Sequence, residues 1–175
     1  NMTSQTHKLA AQLLDATVGD NGTYKYQTTQ TKVGIRQFSH QTKQRVVLKP
    51  NEKRRVHFQL RTPKRTTTTT YFGGLKVIEY DQADSGLLQN DVSFVTSVLL
   101  ANQTLETTHV KRLSVQRVQR TSQHGKLGYN VVLQNRGPKI VQHVATKVVL
   151  TDGAKHQISK TQTTSFIAHG RTTIF

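Results

Sequence analysis

Apolar and polar residues alternate with a period of two along several stretches, and this pattern limits the chain to few folds. It is clear in residues 55–60 (RVHFQL) and in residues 127–133 (LGYNVVL). Alternation of this kind is typical of a half-buried β-strand. The threonine run 66–70, followed by Tyr71 and Phe72, is also predicted to be extended, because the branched Cβ of Thr favours strands. We therefore expect an all-β protein.

Turn signals separate these stretches at short intervals. They are Asp20-Asn21-Gly22, Pro50-Asn51, His124-Gly125, Arg136-Gly137-Pro138 and Asp152-Gly153. Short strands with frequent turns favour an immunoglobulin-like β-sandwich over alternating strands and helices.

A weak internal repeat decides one ambiguous segment, residues 8–17 (KLAAQLLDAT). Its Leu and Ala content would suit a helix. However, residues 9–14 align with the β-branched residues 144–149, with an Asn upstream and a Gly-containing turn downstream of each copy. The second copy has the composition of a strand, so we predict that residues 8–17 also form one.

The repeat continues, because residues 47–58 resemble residues 166–175: each has an apolar pair, a turn and a polar stretch. Two copies of one pattern predict two immunoglobulin-like sandwich modules in tandem. The acidic residues 83–91 are predicted as a linker between modules at 1–82 and 92–175. Each module is shorter than the roughly 100 residues of a complete sandwich, so we expect strands to be missing from each.

Net charge is the second strong feature of the sequence. The chain carries 25 Lys and Arg against 9 Asp and Glu, a formal charge of +16. The excess is spread over both halves, with 14 against 4 in residues 1–80 and 11 against 3 in residues 91–175. Such a chain attracts polyanions, among them nucleic acids and anionic wall polymers. Aromatic stacking platforms are sparse and no recognition helix is evident, so nucleic-acid binding is the alternative hypothesis.

The sequence offers no constellation for catalysis or metal binding. The eight histidines are scattered, there is no cysteine, and residues 81–86 lack the ligands of a calcium loop. No carboxylate pair and no Gly-x-Ser-x-Gly motif stands out. We expect a non-catalytic protein without metal or cofactor.

The densest basic cluster and a glycine pair form the predicted binding site. The cluster suits a phosphate-bearing polymer, and two glycines in a strand suggest either sheet geometry or a flat place for a ligand. The predicted binding residues are Lys49, Lys53, Arg54, Arg55, Arg61, Lys64, Arg65, Tyr71, Phe72, Gly73 and Gly74.

These landmarks together resemble the WxL-interacting protein family of Gram-positive surface proteins. Residues 15–17 followed by Asn21-Gly22-Thr23-Tyr24-Lys25-Tyr26 look like its first hairpin, and residues 47–52 look like its turn. Tyr71-Phe72-Gly73-Gly74-Leu75 is similar to its glycine-pair strand, and residues 113–135 are similar to the opening of its second domain. Residues 167–172 lack the proline that the family usually shows there.

The resemblance implies a protein whose first domain binds peptidoglycan and whose second binds a host extracellular-matrix protein. It also implies WxL-domain proteins as partners and an extracellular place on the bacterial cell surface. Family members carry a signal peptide and a membrane anchor, neither of which is visible here, so we expect a fragment truncated at both ends.

Overall fold

A computed structural model describes residues 1–19, 22–62, 68–79, 93–102 and 112–174. Within these ranges the chain forms ten strands and one short 3-10 helix. The elements are β1 (His7–Val18), β2 (Tyr24–Gln27), the 3-10 helix Arg36–Phe38, β3 (Lys43–Leu48), β4 (Tyr71–Glu79), β5 (Ser93–Leu100), β6 (Leu113–Gln123), β7 (Lys126–Asn135), β8 (Val141–Thr151), β9 (Gln157–Phe166) and β10 (Arg171–Ile174). The all-β prediction is confirmed.

The strands form three sheets, all with antiparallel pairing where the register is defined. A five-stranded sheet has the order β2-β1-β4-β5, with β3 paired to β1 beside this path. A three-stranded sheet has the order β10-β7-β6, and β8 pairs with β9 in a separate ribbon. The predicted strand over residues 8–17 is confirmed as β1, and the repeated segment 144–149 lies in β8.

The chain divides into two compact units. Unit 1 comprises Asn1–Ala16, Tyr26–Thr66 and Tyr71–Leu100, and unit 2 comprises Thr17–Lys25, Thr67–Thr70 and Ala101–Phe175. The predicted linker 83–91 lies outside the described residues. β5 follows it in sequence, pairs with β4 and belongs to unit 1. Strand pairing thus joins β5 to β4, although the predicted linker separates the two strands in the sequence.

Small side chains dominate the buried part of unit 1. Ala10, Ala11 and Ala16 are buried on β1, together with Leu13 and Leu14. The consecutive residues Ala10 and Ala11 lie on opposite faces of β1 and are both buried, so both faces of the strand are covered there. The Leu and Ala content that suits a helix in isolation therefore serves sheet packing here.

Unit 2 has a core between its two sheets. Val131 and Leu133 of β7 and Ile174 of β10 pack with Phe166 of β9. The partly buried residues around this cluster are Leu113, Val144 and Val148. Every second residue in the C-terminal half of β7 is buried, as period-two alternation requires: Val131, Leu133 and Asn135.

The predicted turns adopt the backbone conformations that their residues favour. His124 and Gly125 have φ of 52° and 75° and join β6 to β7 as a two-residue hairpin loop. Asn51 and His169 also have positive φ, and each is the third residue of a turn closed by a backbone hydrogen bond of 3.0 Å. The two copies of the repeated pattern thus share one turn geometry.

One predicted strand is wrong. Residues 55–60 alternate in burial, with Val56, Phe58 and Leu60 half-buried, yet they belong to no strand. The segment is held by separate bonds instead, such as the one in which the Arg61 N–H donates to the Phe38 carbonyl at 2.7 Å. Alternation of apolar and polar residues shows which side chains face the protein. A β-strand also needs a neighbouring strand in register, with which its backbone can form hydrogen bonds.

Candidate functional site

The basic cluster begins in a turn that its own side chains stabilise. Lys49 follows the last residue of β3, and its backbone N–H donates to Oε2 of Glu52 at 2.8 Å. Arg54 donates through Nη2 to Oε1 of the same carboxylate at 2.8 Å. The Lys49 N–H bond above all, and then Arg54, hold the pKa of Glu52 below its ordinary value. Glu52 therefore stays ionised at neutral pH and neutralises part of the cluster.

The next three cations lie side by side in solvent. Lys53, Arg54 and Arg55 are exposed and line an open depression in the surface. Arg61 is exposed as well. The remaining predicted cations, Lys64 and Arg65, lie outside the described residues. The structure thus brings three predicted cations together in a shallow surface that a flexible anion can reach.

The aromatic pair of the predicted site packs inside unit 1. The Tyr71 ring is half-buried and meets Phe38 edge to face, with 4.7 Å between ring centroids and 89° between planes. Phe72 is 5% exposed, and its ring centroid lies 6.2 Å from that of Tyr26. Both rings contribute to stability rather than offering an open stacking surface.

The glycine pair is covered by side chains of the same unit. A Cβ on Gly73 would collide with the Leu14 carbonyl oxygen and lie 2.5 Å from Cγ1 of Ile35. A Cβ on Gly74 would lie 2.9 Å from the Tyr26 ring. The two glycines serve close packing on opposite faces of β4, so the sheet-geometry interpretation accounts for both.

Unit 2 contains a cavity that the sequence did not point to. It has a volume of about 280 Å³, and its lining is largely apolar with two cationic side chains at its wall. The lining residues are Thr68, Arg112, Asn135, Gly137, Pro138, Lys139 and Val141. Asn135 is fully buried and uses its amide to hold the cavity wall, donating to the Lys139 and Ile167 carbonyls and accepting from Gly137 N–H. The amide N and O atoms of Asn135 therefore already form hydrogen bonds within unit 2.

Sequence reasoning also missed the cations on the five-stranded sheet. Lys43 and Arg45 alternate with half-buried neighbours along β3, a signal present in the sequence. Lys76 of β4 lies 33 residues further along the chain and shares their sheet through β1. Only the register of the sheet shows that these side chains belong together.

No metal centre is formed by the part of the chain that the structure describes. Its His, Asp and Glu residues form no group of three able to hold an ion. None of its helices is long and apolar enough to cross a membrane.

Comparison with known proteins gives one family match and a remote structural likeness. Residues 1–79 match the family model described as "WxL Interacting Protein, peptidoglycan binding domain". No curated protein matches the chain. A solved structure, the CsuC–CsuE chaperone–tip adhesion subunit pre-assembly complex from archaic chaperone-usher Csu pili of Acinetobacter baumannii, has 9% identity and a TM-score of 0.46. That match covers 100% of this chain and 78% of the other.

Proposed function

We propose that the protein attaches non-catalytically to peptidoglycan at the cell surface, because residues 1–79 match the model of the peptidoglycan-binding domain of WxL interacting proteins. The family match carries the proposal. The matched residues run from the start of the chain to the end of β4 and include the basic turn at Lys49 and the glycine-pair strand. The family is one of binding domains and is not a known enzyme family.

The architecture of unit 1 supports a binding role. Its buried carboxylate, Asp15, accepts hydrogen bonds from two backbone N–H groups and is thereby engaged in the fold. Glu79 pairs with His7, and Glu52 pairs with Arg54. Each described carboxylate of unit 1 thus has a structural partner. The exposed charged side chains Lys53, Arg54 and Arg55 are cations, which suit the binding of an anionic polymer.

The proposal extends to partners through the family resemblance. We assign WxL-domain proteins as the partners with which this chain assembles, and a host extracellular-matrix protein as the ligand of unit 2. The place of action is then the extracellular face of a Gram-positive cell wall. Pull-down of the chain with purified WxL-domain protein, and separately with matrix proteins, tests these two assignments.

Sedimentation with purified peptidoglycan tests the wall-binding proposal. We expect the chain to pellet with the insoluble polymer at about 0.15 M salt, where screening beyond roughly 8 Å weakens non-specific attraction. A basic β protein of equal net charge and unrelated sequence is the control and should stay in the supernatant. Equal sedimentation of both proteins, or of neither, would contradict the proposal.

A further inference from the structure

The inner face of the β6–β7 hairpin in unit 2 is buried at one end and open at the other. Along β7, Asn135, Leu133 and Val131 are buried on this face. Tyr129 and Leu127 follow them at the same interval of two residues, yet they are 41% and 72% exposed. The core of unit 2 therefore ends at Val131, and two large side chains continue the same face into solvent.

β6 continues this open face beside β7. Three of its residues point to the inner face because each lies opposite an inner-face residue of β7, and the pairs are Val118 with Val131, Arg120 with Tyr129, and Ser122 with Leu127. Val118 is 57% exposed, although the residue opposite it is buried. We call Val118, Tyr129 and Leu127 the open patch, because these neighbouring apolar side chains are all exposed.

β6 also lies at the edge of its sheet, since β7 is the one described strand that pairs with it. Residues 117–123, which we call the β6 edge, pair with β7 without interruption up to the loop His124-Gly125. Both loop residues have positive φ, as in a type I′ turn, so Gln123 and Lys126 form the hydrogen-bonded pair that closes the hairpin. Hydrogen-bonded pairs alternate along an antiparallel ladder, so every second residue of β6 directs its backbone N–H and C=O away from β7.

The outward backbone groups belong to the same residues of β6 that point to the open face. Gln119 and Thr121 bond to β7, whereas Val118, Arg120 and Ser122 direct their N–H and C=O groups outward. No other described residue outside the ladder forms a backbone hydrogen bond with these groups. A further strand along the β6 edge would therefore satisfy them and would lie next to the open patch.

The charge around the β6 edge is positive. Arg117, Arg120 and Lys126 are exposed there. Among the described residues of unit 2, Asp152 is the only side-chain carboxylate, and it already pairs with His156. A second copy of the chain is a poor occupant for the edge, because two molecules that each carry +16 repel one another. The charge therefore favours an acidic strand.

We propose that the β6 edge binds an extended acidic segment of a partner protein by strand addition. Main-chain hydrogen bonds to Val118, Arg120 and Ser122 hold the segment, and its alternate apolar side chains cover the open patch. Its carboxylates lie beside Arg117 and Arg120, where charge-assisted contacts add to the affinity. The inference deepens the assignment of a protein ligand to unit 2, and it rests on that proposed function for the kind of protein that is met.

A disordered fluorescent peptide of alternating Val and Glu, long enough to pair with residues 117–123, tests the proposal on the full chain. We expect saturable binding in about 0.15 M salt. Hydrogen exchange followed by NMR should slow at least about tenfold at the Val118, Arg120 and Ser122 amides in the complex, because bonded amides exchange only when the structure opens. Failure to bind at up to about 1 mM peptide would overturn the proposal, and so would binding without this protection.

Two methylated forms of the peptide separate strand addition from simple charge attraction. One carries N-methyl groups on every Val and the other on every Glu, so each lacks the backbone donors along one edge of the extended peptide. Because a single edge of the peptide faces β6, one form should bind at least about tenfold more weakly than the other. Equal binding by the two forms would overturn strand addition.

A matched pair of charge reversals tests the place of binding. Arg120→Glu acts at the β6 edge, and Lys147→Glu makes the same change in charge at an exposed residue of β8. We expect Arg120→Glu to weaken peptide binding at least about tenfold and Lys147→Glu to weaken it less than about threefold. Arg120→Lys should retain most of the affinity. Equal loss in the two reversals would assign the binding to net charge and overturn the site.

Self-association and wall binding are measured separately. A dimer of the chain alone that protects the Val118 and Arg120 amides would overturn the proposal in favour of a second copy. Arg120→Glu should sediment with peptidoglycan as the wild type does, because Arg120 lies outside the matched residues 1–79. If neither protein sediments while the peptide results hold, the proposed function fails and the β6 edge stands as a binding site.

Discussion

Asp15 is the residue on which the loop between β2 and β3 depends. It is fully buried, and its two carboxylate oxygens accept from the backbone N–H groups of Thr31 and Arg36 at 2.7 and 2.8 Å. Gly34 lies against the same carboxylate, where a Cβ would collide with it. The loop places Ile35 over Gly73. The Asp15 side chain therefore helps to position the residue that covers the glycine-pair strand.

Removing this carboxylate should destabilise the protein strongly. Asp15→Ala leaves two part-buried N–H groups without their acceptor, and we expect a loss of about 2–5 kcal/mol in the free energy of unfolding. Asp152→Ala is the matched control, because Asp152 also accepts from two backbone N–H groups but is exposed. Urea denaturation measures both variants. A similar midpoint shift for the two would contradict the role given to burial.

Glu52 provides a pH-dependent contact at the basic turn. Its folded-state pKa is lowered chiefly by the Lys49 N–H bond, so the carboxylate stabilises the turn above its unfolded-state pKa. That contribution is lost as the pH falls through the lower folded-state value. Following the Lys49 amide signal by NMR should show a midpoint below that of glutamate in an unfolded peptide. The transition should be absent in Glu52→Gln; its persistence there would assign it to another group.

At the scale of elements, periodicity and turn chemistry were the informative signals. The β1 prediction was right because the repeat compared an Ala-rich copy with a β-branched copy, and the hairpin at His124-Gly125 followed from its residues alone. Residues 55–60 were predicted wrongly because alternation says nothing about a partner strand. The sequence also did not predict that β5 pairs with β4 in unit 1, because alternation does not identify the partner of a strand.

The glycine-pair strand makes an element-scale prediction. Gly73→Ala forces a Cβ against the Leu14 carbonyl and Ile35 Cγ1, so β4 or the covering loop must shift. Overpacking of this kind costs about 1–3 kcal/mol. Gly153→Ala is the control, because a Cβ there meets nothing within 4 Å, and it should be close to neutral. Thermal unfolding compares the two; equal melting temperatures would show that the space beside Gly73 is not restrictive.

At the scale of the whole molecule, the predicted binding residues lie in two kinds of surroundings. The cations Lys49, Lys53, Arg54 and Arg55 are solvent-facing, as their sequence density suggests, whereas Tyr71, Phe72 and the two glycines support packing. The cations Lys43, Arg45 and Lys76 of the five-stranded sheet were not predicted, because strand register rather than sequence proximity brings them together. The assignment of Lys49, Lys53, Arg54, Arg55 and Arg61 as binding residues stays a prediction.

The measurement that tests the central claim most directly is a binding isotherm of the whole chain on peptidoglycan freed of other wall polymers. The account predicts saturable binding at about 0.15 M salt that persists when the salt is raised to about 0.5 M, because recognition of the polymer adds to ionic attraction. Binding that is linear with protein concentration and vanishes at the higher salt would contradict it, and would leave net charge as the explanation.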